Sequence, residues 1–156
     1  MANLPQTSDV NAWHKWFGIE CKNKAWPLSE KPTRTAEEDV ELIALAHTSA
    51  FHWSKVGTDL NIASGQMLLG QAYAVVRVGF LAMYYAQLAY DYVLSHESPD
   101  WEIAFAHAVL AYAAYADGQT ELHKEQYSLA KSLGESLHDE EDRSIFSSTF
   151  DNVPKP

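Results

Sequence analysis

Residues 69–89 read Leu69-Gly70-Gln71-Ala72-Tyr73-Ala74-Val75-Val76-Arg77-Val78-Gly79-Phe80-Leu81-Ala82-Met83-Tyr84-Tyr85-Ala86-Gln87-Leu88-Ala89. The two halves are apolar at helical spacing and meet at Val78-Gly79. Two antiparallel helices joined by a tight turn approach closely where side chains are small, and Gly70, Ala82 and Ala89 supply that. Leu69 and Tyr73 are then free to fill the space between one helix pair and the next. The pattern returns 41 positions later, from Leu69 to Leu110. Leu110-Ala111-x-x-Ala114 answers Leu69-Gly70-x-x-Tyr73. His123-x-x-x-Tyr127-x-x-Ala130 answers Ala82-x-x-x-Ala86-x-x-Ala89, with the second turn at Asp117-Gly118. One such pair cannot bury both faces, so the pairs are expected to stack.

The first copy resembles a tetratricopeptide repeat, whose signature is Leu-Gly-x-x-Tyr on one helix and small residues on the next. The second copy matches less well because His123 replaces a small residue. The resemblance spans about residues 60–137 and implies an all-α, TPR-like superhelix of antiparallel hairpins with about six to seven helices. The offset exceeds the usual ~34 residues of the family. Partners of such stacks bind the concave face, made by the first helix of each pair. Projection places Ser64, Met67, Gln71 and Ala74 there from one pair, and Phe105, Ala108, Tyr112 and Tyr115 from the next. The family's carboxylate clamp of Lys, Asn and Arg is absent at these positions. The resemblance therefore implies a Met- and Tyr-lined groove for an apolar or aromatic ligand, a peptide or a second copy of the chain. The same residues could equally be covered by the N-terminal segment. A plain four-helix bundle is the rival architecture. A stack has contacts between neighbours, whereas a bundle closes its first helix on its last.

Working outward, Thr35-Ala-Glu-Glu38 is a capping box that starts a helix running to about Lys55, with Gly57 as its C-terminal cap. Asp59 is expected to cap a helix from Leu60 to about Val76, and Gly79 to break the chain before a helix from Phe80 to His96. Ser98-Pro99-Asp100 reads as the start of a helix to Ala116. A helix from Thr120 to Leu137 follows, then a short one behind Asp139-Glu-Glu-Asp142 that ends near Phe150. Residues 35–150 form the helical domain, and 151–156 are a tail. Residues 1–34 form a lead segment holding three of the five tryptophans. A short helix near Asp9–Phe17, capped by Ser8 or Asp9, is expected there. Pro27 and Pro32 then argue for an irregular strap packed on the body.

The 156 residues suit one domain that needs no staples. The single cysteine, Cys21, precludes an internal disulfide and fits a reducing, cytoplasmic setting. The N-terminus has neither a basic start nor an apolar run, so no signal peptide is expected. The formal charge of −10 is uneven. Residues 1–35 carry five Lys/Arg against three Asp/Glu, and the rest carries six against eighteen. Such a surface repels phosphate backbones, which argues against nucleic acid, and no basic amphipathic face points to a membrane.

No nucleotide loop, nucleophile elbow or zinc-protease motif is present, so no catalytic residue and no cofactor is assigned. Seven histidines invite a metal reading. His47 and His52, however, are five apart and diverge by about 140° around a helix, and Glu135-x-x-His138 stands alone. No metal site is expected. The densest polar-aromatic cluster is His47-x-x-x-Phe51-His52-Trp53-Ser54-Lys55. It is either a core tryptophan with half-exposed histidines or the wall of a small-ligand pocket completed by Arg77. Two functions stay open. One is a non-enzymatic interaction module using Met67, Gln71, Phe105, Tyr112 and Tyr115. The other is a ligand-binding protein or enzyme centred on His47, His52, Trp53, Lys55 and Arg77.

Overall fold

The computed structural model describes residues 3–6 and 8–156; Met1, Ala2 and Thr7 of the lead segment lie outside it. Seven helices and no strand occur among the described residues: α1 (Val10–Ser29), α2 (Ala36–Val56), α3 (Asp59–Val75), α4 (Gly79–Ser95), α5 (Asp100–Ala116), α6 (Thr120–Glu135) and α7 (Glu140–Phe150).

The helix starts are set by side-chain caps. Asp9 accepts the Asn11 N–H at 3.0 Å. The Thr35 hydroxyl accepts the Glu38 N–H at 3.2 Å, and Glu38 accepts the Thr35 N–H at 2.9 Å. The residue that caps α3 is Thr58 rather than Asp59, because Thr58 forms its own capping box with Asn61. The residue in the cap position of α5 is Pro99 rather than Ser98, whose hydroxyl is spent on Val93 O at 3.1 Å.

The turns also differ in detail from expectation. Gly57 ends α2 in an extended conformation, and what it provides is room: a Cβ there would lie 2.6 Å from Trp53 O. The turn between α3 and α4 is made by Arg77, at φ 64°, and not by Gly79. Gly79 instead lets α4 begin against the end of α5, where a Cβ would come within 2.4 Å of Asp117 Cα. Gly118, at φ 77°, makes the expected left-handed turn.

The largest correction concerns the lead segment. Past Phe17 there is no irregular strap, because α1 runs unbroken to Ser29 with Pro27 inside its last turn. A proline disturbs the turn before it and little beyond, and here it is solvent-exposed. Its neighbours Trp26 and Leu28 pack on the core and hold the final turn in place.

Helices α1/α2, α3/α4 and α5/α6 are antiparallel hairpins, and α7 covers the last of them. Each helix packs on its chain neighbour. Each first helix also packs on the next first helix: α1 on α3, α3 on α5, α5 on α7. This is a stack, not a bundle closed along its length. Small residues set its spacing, since Ala82 and Ala89 are fully buried and a Cβ on Gly70 would lie 2.9 Å from the Ala86 backbone. No helix among the described residues is long and apolar enough to cross a membrane.

Candidate functional site

The first helices of the hairpins, α1, α3 and α5, and the terminal helix α7 share one side of the stack. On α1, Lys22, Trp26 and Glu30 recur every four residues and so lie on one face. Ala63, Ser64 and Met67 face them from α3; Trp101, Glu102 and Phe105 from α5; Ile145 and Ser148 from α7. Together they enclose a pocket of about 300 Å³. Its walls are mostly apolar and aromatic. Trp26 meets Phe105 edge-on at 5.2 Å, and Trp101 meets the same ring at 6.4 Å.

One end of the pocket is latched. The Ser148 and Thr149 hydroxyls donate to Glu30 Oε1 at 2.9 and 3.0 Å, and Asn152 Nδ2 donates to Glu30 O at 3.1 Å. The tip of α1 is thereby tied to the tip of α7, which closes this end of the groove. At the other end Lys22, Ser64, Trp101 and Glu102 form a neck shared with a second, larger and more open depression of about 530 Å³ bordered by His96 and Pro99. Lys22 Nζ donates to Ser64 Oγ at 2.7 Å. Burial pushes the Lys22 ammonium down from the usual lysine range, with Glu102 partly opposing it. Burial pushes the Glu102 carboxyl up, with Lys22 partly opposing it.

The groove residues expected from the sequence fall into three places. Met67 and Phe105 are 6% and 7% exposed and line the pocket. Gln71 and Tyr112 are buried and do not line it; Gln71 has no hydrogen-bond partner for either amide atom. Tyr115 is exposed and carries the Arg77 guanidinium 4.5 Å above its ring.

The other cluster is not gathered into one site. His47 Nε2 and the Tyr73 hydroxyl share a hydrogen bond of 2.7 Å beside Tyr85. The Nδ1 atoms of His52 and His14 share one of 2.8 Å, so one ring donates its N–H to the other. Burial, then the His14 ring, hold His52 below the usual histidine range. Trp53 is a core residue lying against Gly18, and Lys55 sits 4.9 Å above the Phe51 ring. None of His47, His52, Trp53, Lys55 or Arg77 borders the pocket or its neck. Burial raises the Cys21 thiol, opposite to the shift an activated nucleophile needs.

Lys22, Trp26, Glu30, Trp101 and Glu102 are pocket residues that the sequence reading did not assign. The spacing of 22, 26 and 30 was a usable signal, masked by the proline at 27. Compared with known proteins, the chain matches no family model, no curated protein and no solved structure.

Proposed function

We propose that this chain is a non-enzymatic, TPR-like binding protein that holds a small ligand with a largely apolar body in the pocket lined by α1, α3, α4, α5 and α7. The observation that carries the reading is the enclosure itself. Residues of α1, α3, α4, α5 and α7 line about 300 Å³ of space, two tryptophans and a phenylalanine among them, and Lys22 and Glu102 stand at its neck. That combination of apolar lining with a few placed polar groups is the usual design of a ligand site. No group of three or more His, Cys, Asp or Glu that could hold a metal ion occurs among the described residues, and we read the pocket as a binding site.

The test uses the pocket's own tryptophans. A ligand entering between Trp26 and Trp101 should shift the intrinsic fluorescence, and native mass spectrometry of the purified protein should show any retained small molecule. Ala63→Leu, which fills the floor, should abolish both signals while the helical circular dichroism stays unchanged. Retained binding in this variant would refute the assignment of the pocket.

A second reading, self-association, rests on a different surface. On α4, Phe80, Tyr84 and Leu88 recur every four residues and are 77%, 55% and 36% exposed. A stripe of this kind is the sort of face that a second copy would cover. Sedimentation velocity across a concentration series should then show a dimer that Phe80→Asp dissociates, and a concentration-independent monomer would dismiss it.

A further inference from the structure

Lys22 and Glu102 say more about the ligand than the apolar walls do. Both stand at the neck, where the aromatic-walled pocket opens into the larger, more open depression. Among the described residues, the hydrogen bond that Lys22 Nζ makes is to a neutral hydroxyl, Ser64 Oγ, at 2.7 Å. The ion pairs among the described residues are Lys31–Glu38, Arg34–Asp39, Lys124–Glu121 and Lys131–Glu135, so Lys22 and Glu102 are not within pairing distance of one another. They are nonetheless close enough to influence each other's charge. Glu30, the other acid on the wall, already accepts two hydroxyl hydrogens from α7.

The neck therefore presents two opposite charges, both partly stripped of water and held apart. A neutral apolar ligand would strip them further and pair neither, which is costly. A simple anion would satisfy Lys22 and face the Glu102 carboxylate. A simple cation would do the reverse. A zwitterion satisfies both at once.

Resting on the pocket reading above, we propose that the ligand is a free α-amino acid with a large apolar side chain. Its carboxylate would lie on Lys22 and the Ser64 hydroxyl, its ammonium on Glu102, and its side chain between Trp26, Met67 and Phe105. The size agrees. A volume of 300 Å³ equals that of about ten waters in the liquid. Covalently bonded atoms pack closer than waters, so the pocket takes roughly ten to fifteen non-hydrogen atoms.

The test is a calorimetric titration of the full chain, paralleled by tryptophan fluorescence, with four probes of one shape. These are L-phenylalanine, 3-phenylpropionate, 2-phenylethylamine and 2-phenylethanol. The amino acid should bind about tenfold or more tighter than either singly charged analogue, the scale of one charge-assisted hydrogen bond. Lys22→Met should bring phenylalanine down by about tenfold and leave phenylethylamine unweakened. Glu102→Gln should weaken phenylalanine and phenylethylamine and leave phenylpropionate unweakened. The wild-type series stands independently of whether either variant folds. Equal binding of all four probes, or tighter binding of phenylpropionate than of phenylalanine, would overturn the zwitterion inference and leave the pocket standing. Silence from all four in heat and in fluorescence up to millimolar concentration would remove the pocket reading as well.

Discussion

Alanine at position 70 should cost this protein stability although alanine is the better helix former. In the middle of α3, Gly→Ala gains about 1 kcal/mol from propensity alone. Against that, the new Cβ would lie 2.9 Å from both Cα and N of Ala86 and 3.1 Å from its Cβ. Two of those atoms are backbone, so no rotamer change relieves the contact and α3 and α4 must move apart. Forcing an extra methyl into a tight site costs typically 1–3 kcal/mol, and the upper end applies where backbone meets backbone. The net loss is then about 2 kcal/mol, or a fall of about 4–8 °C in Tm for a chain of this size. Gly65 is the internal control. Its added Cβ would meet Ala50 Cα at 3.3 Å and Cβ at 3.4 Å, a contact that a few tenths of an ångström relieve. Gly65→Ala should come out neutral or slightly stabilising. Thermal and urea unfolding followed by circular dichroism reads both variants. If Gly70→Ala proved as stable as Gly65→Ala, the close nesting of α3 on α4 would be wrong, and with it the spacing argument for the whole stack.

Three further outcomes follow from other parts of the molecule. Thr35→Ala removes one half of the capping box at the exposed start of α2 and should lower stability by about 1 kcal/mol in chemical denaturation; no change would mean that the cap is made in solution by another group. Glu30→Ala cuts both hydroxyl bonds of the latch and should cost about 1–3 kcal/mol. Its signature is amide hydrogen exchange that speeds up in α7 and leaves the buried centre of α3 protected, and uniform acceleration would count against a local latch. The third concerns pH: the His52 ring is held below its unfolded value by burial and by His14, so the unfolded chain binds the extra proton first. The stability tied to neutral His52 is complete above the unfolded pKa of about 6.5. It drains away as pH falls below that value and levels off under the folded pKa. Tm should drop between pH 7.5 and 5.5, and His52→Gln should flatten that slope; an equal slope in the variant would clear His52 of the effect.

The stack was legible in the sequence because its determinants are local. Small residues at Gly70, Ala82 and Ala89, the Thr35 box and the Asp117-Gly118 turn each act within a helix or between chain neighbours. The lead segment was misread because Pro27 was weighed by its propensity alone. Tertiary packing of Trp26 and Leu28 overrides that in the last turn. The Arg77 turn was missed for a related reason: an adjacent glycine looked like the natural left-handed residue, but Gly79 is needed for close approach to Asp117. The site was the least legible part. Lys22, Ser64, Glu102 and Ser148 stand some forty positions apart on four helices, and no short-range pattern reports that the stack brings them together. The pairing of His14 with His52 across 38 positions is the same kind of fact.

The same geometry bears on the size of ligand the proposed site can accept. An extended peptide would need the length of the groove, and the Glu30 latch between α1 and α7 closes one end of it. Ala25 and Ser29 are 0% and 1% exposed on α1, and Trp26 presses its edge on Phe105. The Ser49 hydroxyl also reaches across to Gly18 O at 2.8 Å. Fully burying a large apolar side chain is worth about 1.5–3 kcal/mol. Even discounted for partial exposure, releasing Trp26 and Leu28 would cost several kcal/mol. A peptide would have to repay that cost before gaining any net affinity. A ligand small enough to pass the neck between Lys22 and Glu102 repays nothing, because the walls it needs are already in place. On the proposed binding reading, the latch of α1 on α7 and the seated Trp26 therefore favour molecules of about a dozen heavy atoms over extended chains, the scale set by the volume of the pocket.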